Sequence, residues 1–460
     1  MTRFVGRDRE LETLEHAHRS RRGAFVVVYG RRRVGKTALL RRFVTDRPAI
    51  YLHGTRAPRE LQVRELLREA AAVLSEPLLE RVGDLSWKEA LTACVERHHG
   101  PDKLVLVLDE FQWLADTSPE LMGILQELWD RYWQHDGKVM LVLCGSFVGF
   151  MEREVLGRKS PLFGRRTAQI LLRPFDYRQA AAFHPSYAVA DKAKAYFVCG
   201  GIPHYLRLFD AERSVEQNIA AQILHEHGPL FREADFLLRE ELREVESYWA
   251  ILVRLAKGAA TPGDLASDTP VGQSVHYYLK QLVELGYVER VFPLTRRRPK
   301  RTDVRYRLAD PMLRFWFRFV QPNQSFLQRY GGKRGLRERI KPQLDAYFGG
   351  AFERLCRQGV LALHDREGVD GPTDVGSFWS KEVQIDVVAL RADDWIELAE
   401  CKWGRVRSAG KLVDELEAKV PLYPNPRGHT VVRRLFTSKP VARAEDTAGV
   451  RWHTLDDLYE

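Results

Sequence analysis

The run Val26-Val27-Val28-Tyr29-Gly30-Arg31-Arg32-Arg33-Val34-Gly35-Lys36-Thr37 constrains the fold of this chain more than any other stretch. An apolar segment feeds into GxxxxGKT, and a helical pattern of Ala38, Leu39, Leu40 and Phe43 follows. Strand, glycine-bracketed loop and helix N-terminus are the context that a phosphate-binding loop requires. Successive loop N–H groups and the helix dipole create an anion hole for a triphosphate. The expected nucleotide contacts are therefore Gly30, Arg33, Val34, Gly35, Lys36, Thr37 and Ala38. Lys36 is placed to reach the β- and γ-phosphates, and the Thr37 hydroxyl to hold Mg²⁺.

With 460 residues the chain has room for roughly three domains, each with its own core. At 45% hydrophobic and 29% charged it reads as a soluble globular protein. The formal net charge of +10 favours acidic partners, nucleic acid first. Cys94, Cys144, Cys199, Cys356 and Cys401 are scattered, with no CxxC pair or Cys/His spacing that suggests zinc or a disulfide framework. A reducing, cytoplasmic setting is expected. The sequence opens straight into folded-looking residues, so no signal peptide is expected, and no apolar run approaches a membrane span.

Residues 1–180 alternate apolar strands, near 25–29, 48–52, 104–109, 139–145 and 169–172, with amphipathic segments. Runs such as Leu104-Val105-Leu106-Val107-Leu108 are continuously apolar, as strands buried on both faces should be. The expectation is a parallel α/β sheet with crossover helices. A helical lid is expected over 181–243, three helices and a hairpin over 244–310, a basic helical connector over 311–343 and a further α/β domain over 344–460.

The strand from Leu104 ends in Asp109-Glu110, a Walker B pattern. Asp109 is expected to bind the Mg²⁺ water shell, and Glu110 to polarise the attacking water as a general base. The next strand ends in Gly145-Ser146, which places Ser146 as a sensor of the γ-phosphate or the lytic water. Arg165 and Arg166 lie just before the strand that begins near Gln169 and are candidates to reach a γ-phosphate. Phe4-Val5-Gly6-Arg7-Asp8-Arg9-Glu10-Leu11, the loop YGRRRVGKT, the Asp109-Glu110 pair and Gly200-Gly201-Ile202-Pro203 resemble prokaryotic ATPases of the AAA/STAND type. Their layout is similar to that of origin-recognition ATPases. The resemblance implies Val5, Gly6, Arg7 and Pro203 as further nucleotide contacts and an arginine finger at Arg165 or Arg166. It covers about residues 1–320 and carries no clear sensor-2 arginine.

Val245 to Lys257, a capped short helix at Thr261-Pro262-Gly263-Asp264, and Val271 to Leu285 read as three helices. Two β-type runs, 287–291 and 304–308, flank Thr295-Arg296-Arg297-Arg298-Pro299-Lys300-Arg301. Three helices and a basic-tipped hairpin make a winged helix. Gln273, Ser274, His276 and Tyr277 would enter the major groove, and Arg296, Arg297, Arg298, Lys300 and Arg301 would contact phosphates. The competing reading is a winged helix used for protein packing.

Near the C-terminus, Lys381 to Leu390 and Trp395 to Trp403 read as two strands joined by a polar turn. Glu400 and Lys402 share a face, and Asp386 near the middle of the partner strand can face them. Such carboxylates make an oxygen site for Mg²⁺, and the lysine can stabilise charge on phosphorus. Glu353, on the preceding helix, can supply a third carboxylate. This arrangement resembles the PD-(D/E)xK nuclease superfamily and the domain of unknown function appended to archaeal and bacterial ATPases of this kind. The combined expectation is an α/β protein: a P-loop ATPase core with helical lid, winged helix and restriction-endonuclease-like domain. It would bind and hydrolyse ATP with Mg²⁺, act on DNA and cut it with Glu353, Asp386, Glu400 and Lys402. Its expected partners are nucleic acid and further copies of the chain, with no membrane. The alternative is an ATP-gated switch or scaffold that binds DNA or protein without cleavage.

Overall fold

The computed structural model describes residues 4–460 apart from 82, 243, 445, 446 and 448; the side chain of Arg301 is also outside the described set. The chain divides into two compact units, residues 1–174 and 175–460. The first is built on five parallel strands: β1 (Ala24–Tyr29), β2 (Ala49–His53), β3 (Leu104–Asp109), β4 (Val139–Gly145) and β5 (Ala168–Leu171). Their order is β2-β3-β4-β1-β5. The three central strands, β3, β4 and β1, are buried at every position, which is why they read as unbroken apolar runs. The outer strands β2 and β5 show mixed burial. Trp87, Trp129, Leu106, Leu141 and Phe111 pack on the sheet in one continuous core. All five strands fall within a residue or two of the expected positions.

In the second unit, helices Val245–Ala256, Pro262–Asp268 and Val275–Glu284 precede the antiparallel pair β6 (Val288–Val291) and β7 (Arg305–Leu308). Thr261 accepts from the Asp264 N–H in a full capping box, the stop-and-start signal read from the sequence. The third helix begins later than expected, after a short 3₁₀ turn over Gly272–Ser274. A 27-residue helix, Lys341–Glu367, then leads into a second five-stranded sheet. Its strands are β8 (Thr373–Trp379), β9 (Gln384–Arg391), β10 (Ile396–Lys402), β11 (Val431–Thr437) and β12 (Val450–Thr454), in the order β12-β11-β10-β9-β8. β8, β9 and β10 form an antiparallel meander, and β11 and β12 continue it in parallel. The long helix packs across β8, β9 and β10. Helix Ala409–Lys419 places Leu412 and Leu416 in a core with Ile385, Val388, Leu398 and Leu435.

The loop between β6 and β7 differs from the exposed basic tip expected from the sequence. Leu294 joins the core of the second sheet, and its N–H donates to the Ser377 carbonyl at 2.8 Å. Arg296 pairs with Asp394 at 3.1 Å and donates to the Arg391 carbonyl at 3.2 Å. The expected phosphate contact at Arg296 is thus corrected: an apolar neighbour anchors the loop and an acid in the β9–β10 turn takes the guanidinium. Arg297, Arg298 and Lys300 remain exposed.

One buried charge network ties the long helix to the sheet. Arg434 on β11, 1% exposed, donates to Glu397 on β10 at 2.8 and 3.1 Å and to both oxygens of Glu367. His364 lies 2.9 Å from Glu397, and His453 lies 2.8 Å from Arg434. Burial alone would raise the Glu397 carboxyl, yet hydrogen bonds from His364 and Arg434 and the charge of Arg434 hold it at about 2. Burial and the Arg434 charge lower His453 to about 4. Both groups therefore bind protons less readily folded than unfolded. Their stabilisation is present at neutral pH and is lost as pH falls, from 6.5 toward about 4 at His453 and from 4.5 toward about 2 at Glu397. The Glu397 shift corresponds to about 3 kcal/mol. Glu397→Gln should cost roughly 3 kcal/mol at pH 7, because it leaves the buried Arg434 with Glu367 as its remaining counter-charge. It should also lessen the decline in stability between pH 4.5 and about 2 that denaturation followed by circular dichroism should show for the unaltered chain.

Candidate nucleotide site

Parallel strands end at one edge, so the residues just after β1, β3 and β4 converge there. The chain leaves β1 for β2 on one side and leaves β4 for β5 on the other, so the connection direction reverses at the β1–β4 pair. The glycine loop sits at this switch point. Gly30 has φ +153°, and a Cβ there would lie 2.3 Å from the Leu172 carbonyl oxygen, so only glycine fits. Gly35 caps helix Lys36–Phe43 with φ 96°. Lys36 is 5% exposed, and its ammonium donates to the carbonyls of Gly30 at 2.8 Å and Arg31 at 3.1 Å. It is thereby held inside the loop whose N–H groups would take a triphosphate.

Thr37 donates to Asp109 Oδ2 at 2.9 Å. The two proposed Mg²⁺ ligands, contributed by different segments, are in direct contact. Asp109 is fully buried, which would raise its pKa, but hydrogen bonds from His53, Cys144, Tyr51 and Thr37 outweigh burial and hold the carboxyl well below the ordinary range. An ionised carboxylate beside a hydroxyl is the donor pair that Mg²⁺ takes alongside its waters. The Tyr51 hydroxyl donates to Asp109 at 2.7 Å, and His53 Nδ1 lies 3.7 Å away. The hydrogen bond to Asp109 is the main cause that raises the His53 pKa. Tyr51 and His53 escape sequence reading. The signal is that they sit two positions apart and so share a face of β2, with His53 in register with Asp109, but only the strand order reveals it.

Glu110 follows in a left-handed conformation, φ 50°. Its carboxylate accepts from Ser146 at 2.6 Å and from the Gln112 amide. Ser146 thus holds the candidate base, and Gln112 is a second holder not expected from the sequence. Among the described residues, non-glycine positive φ occurs at six positions, and three of them, Arg7, Arg33 and Glu110, belong to the expected nucleotide site. Strain at that density marks a site held in shape for a ligand. Val5 and Gly6 precede Arg7, whose guanidinium donates to the carbonyls of Val34 at 3.2 Å and Arg173 at 2.7 Å. The expected adenine-side segment is therefore fastened to the back of the loop.

Arg165 forms a two-pronged pair with Asp130 at 2.8 and 2.7 Å and also donates to the Pro161 and Phe163 carbonyls at 2.8 and 3.1 Å. Its place as an arginine finger is therefore taken by an intrachain partner, whereas Arg166 is exposed. Pro203 is buried at the start of helix Pro203–Leu208 in the second unit. Among the described residues no helix is long and apolar enough to cross a membrane.

The carboxylates expected near the C-terminus also gather within the second unit. The β9–β10 register runs to Val387↔Ala399, and its next step sets Asp386 opposite Glu400. A bulge in β9 puts Asp386 and Val387 where β8 has only Ser377. This re-aims Asp386, which sits near the start of its strand rather than the middle, and Asp386 Oδ2 accepts from the Cys401 N–H at 3.0 Å. Burial first, and then the charge of Asp386, raises the carboxyls of Glu353 and Glu400 above the ordinary range. Glu400 Oε1 is buried with no hydrogen-bond partner, while Oε2 pairs with Lys419 at 2.6 Å. Lys402 pairs with Glu415 at 3.4 Å. The expected metal set is corrected here: among the described residues no three His, Cys, Asp or Glu lie close enough together to hold an ion. Instead, Lys419 from helix Ala409–Lys419 supplies the counter-charge at Glu400.

Residues 4–209 match a family described as an ATPase domain found predominantly in Archaea, and residues 316–412 match a family of archaeal and bacterial proteins of unknown function. An uncharacterised protein of Methanocaldococcus jannaschii is 28% identical over 403 residues, 87% of each chain. An uncharacterised ATP-binding protein of the same organism is 43% identical over 44 residues, 10% of this chain and 75% of that one. The Walker-type ATPase PABY2304 of Pyrococcus abyssi has a similar fold, with a TM-score of 0.50 at 21% identity, over 68% of this chain and 96% of that one. Residues 4–209 thus resemble the archaeal-type P-loop ATPase domains. The match and the geometry of the glycine loop support ATP binding and hydrolysis by this segment.

Lys36→Ala should weaken nucleotide binding and abolish hydrolysis, since its ammonium is the counter-charge that the motif holds for the β- and γ-phosphates. Glu110→Gln should spare binding and lower turnover about 10²–10⁴-fold, because an amide accepts no proton. Calorimetry with ATP and a phosphate-release assay separate the two, and equal loss of binding would contradict the roles.

Proposed function

We propose that this chain is an ATP-hydrolysing protein that acts on DNA and that its C-terminal domain is a nuclease of the restriction-endonuclease type. In the ATPase, Thr37 and Asp109 would hold Mg²⁺, which when bound neutralises charge on the β- and γ-phosphates. Lys36 binds the same phosphates, and Glu110, steadied by Ser146 and Gln112, orients the water. Arg166 is the arginine available to complete a site on a second copy of the chain.

The observation that carries the nuclease reading is the unpartnered, buried Glu400 Oε1 on a strand facing Asp386, with Glu353 under the charge of both acids. A helix bearing Glu353, a three-strand meander bearing Asp386 and Glu400-x-Lys402, and a crossover helix to a parallel strand complete the arrangement. The acidic donors suit a hard cation in kind, but as they stand they do not enclose one. The three helices and hairpin of 245–308 support a winged helix, with Gln273, Ser274, His276, Arg297, Arg298 and Lys300 exposed for DNA. The Lys419–Glu400 pair specifically favours a second reading, a domain that binds DNA and does not cut.

Labelled single-stranded, duplex and branched DNA incubated with Mg²⁺ or Mn²⁺, with and without ATP, decides between them. The nuclease reading expects cleavage that Asp386→Ala abolishes while ATP hydrolysis survives. It also expects Lys419→Met to tighten Mn²⁺ binding in calorimetry by about tenfold, the effect of about 1.4 kcal/mol from freeing one buried carboxylate. No cleavage on any DNA, with Mn²⁺ binding unchanged in Lys419→Met, selects the binding reading.

A further inference from the structure

A groove of about 570 Å³ in the second unit is lined by Lys257, Arg307, Arg314, Arg318, Arg354 and Arg357, and Glu353 is in its wall. It is walled by the end of helix Val245–Ala256, by β7, by residues 314–318 and by the long helix Lys341–Glu367. The near acids are too few for these cations. Glu289 accepts from Arg307 at 2.7 Å and lies 3.6 Å from Arg354, and Glu353 lies 3.9 Å from Arg357. Among the described residues, the ion pairs of these six cations within 4 Å go to Glu289 and Glu353, and Asp386 adds its charge at Arg357. Other partners are neutral: Arg354 donates to the Leu308 carbonyl at 2.7 Å, and Arg318 to Gln343 at 3.1 Å. Arg314 lies over the Tyr347 ring, and its Nη1 is buried without a hydrogen-bond partner. Burial, then the charges of Arg314 and Arg307, pushes the Arg354 pKa well below its ordinary value, against the opposing charge of Glu289.

The groove is also graded. Lys257 and Arg318 are exposed, whereas Arg357 is 10% exposed and donates to the backbone carbonyl of Asp386. Its buried end therefore carries Glu353 and, through Arg357, reaches the backbone of Asp386. Gly350 lines it in mid-helix, where glycine is unfavourable, and a Cβ there would meet nothing within 4 Å. The missing side chain keeps the groove open.

We propose that this groove seats the phosphate backbone of a nucleic-acid strand and leads it to Glu353, Asp386 and Glu400. The inference rests on the reading that this domain acts on DNA and adds the path the strand takes. Every cation it offers is suited to phosphate, so binding is independent of sequence. Spaced cations along a groove of this volume match a chain of phosphates rather than a single one.

Anisotropy of a labelled mixed-sequence single strand, titrated with the full chain in EDTA over a range of salt, tests this without cleavage. Gly350→Phe should bind at least tenfold more weakly while keeping or raising the melting temperature. Arg314→Gln with Arg318→Gln should flatten the log–log salt slope by about 1.4, at about 0.7 for each single-strand phosphate left without its cation. Affinity and slope unchanged in both variants would overturn the proposal. So would inorganic triphosphate binding to the Lys36→Ala chain as tightly as the oligonucleotide does, which would make the groove a small-phosphate site. The nuclease reading fails separately, if the unaltered protein cuts nothing with Mn²⁺ while these binding effects hold.

Discussion

The Thr37–Asp109 contact, at 2.9 Å, is what the nucleotide site depends on. It joins the residue after the glycine loop to the end of β3, although β4 stands between β1 and β3 in the sheet. This is possible only because parallel strands finish level at one edge. Asp109 in turn is an acid with no exposure, which would be costly without donors on every side. Tyr51 and His53 from β2 and Cys144 from β4 supply them. Satisfying one carboxylate therefore fixes the ends of three neighbouring strands, and Glu110 and Ser146 are positioned as a consequence.

Much of this is legible in the sequence because the loop's spacing is covalent. GxxxxGKT, Asp109-Glu110 and the apolar strands are local patterns, and local patterns survive without a structure. Tyr51 and Gln112 are not legible, since their roles require knowing that β2 lies beside β3 and that the chain turns sharply at Glu110. The same limit explains Arg165, Arg296 and Glu400. Each reads as available in the sequence, and each has a partner remote along the chain: Asp130, Asp394 and Lys419. A motif states which side chains are present, whereas their neutralisation is a tertiary property. The bulge at Asp386 is hidden for a related reason, because strict alternation along β9 offers no sign that β8 is one residue short there.

The second unit contrasts two acids three positions apart on β10. Glu397 is enclosed by Arg434, His364 and Arg391, so its charge is fully answered. Glu400 is as deeply buried, yet one of its oxygens is unanswered and its neighbours Asp386 and Glu353 carry the same sign. Folding stability accounts for the first arrangement. It does not account for the second, which a purely structural core would have replaced with apolar residues at no loss.

The two counter-cations sharpen that contrast. Arg434 engages Glu397 and Glu367 with a planar fork whose geometry matches carboxylates and whose release would strand several groups at once. Lys419 meets Glu400 through a single contact on a flexible stem, and 29% of its side chain is exposed. A compact ammonium near solvent can leave by rotating a few bonds and be rehydrated as it goes. The guanidinium pair is built to persist and the ammonium pair to be exchanged. Whatever replaces Lys419 at Glu400 must bring positive charge to a carboxylate that already feels the charge of Asp386, near Glu353 in the wall of the cationic groove.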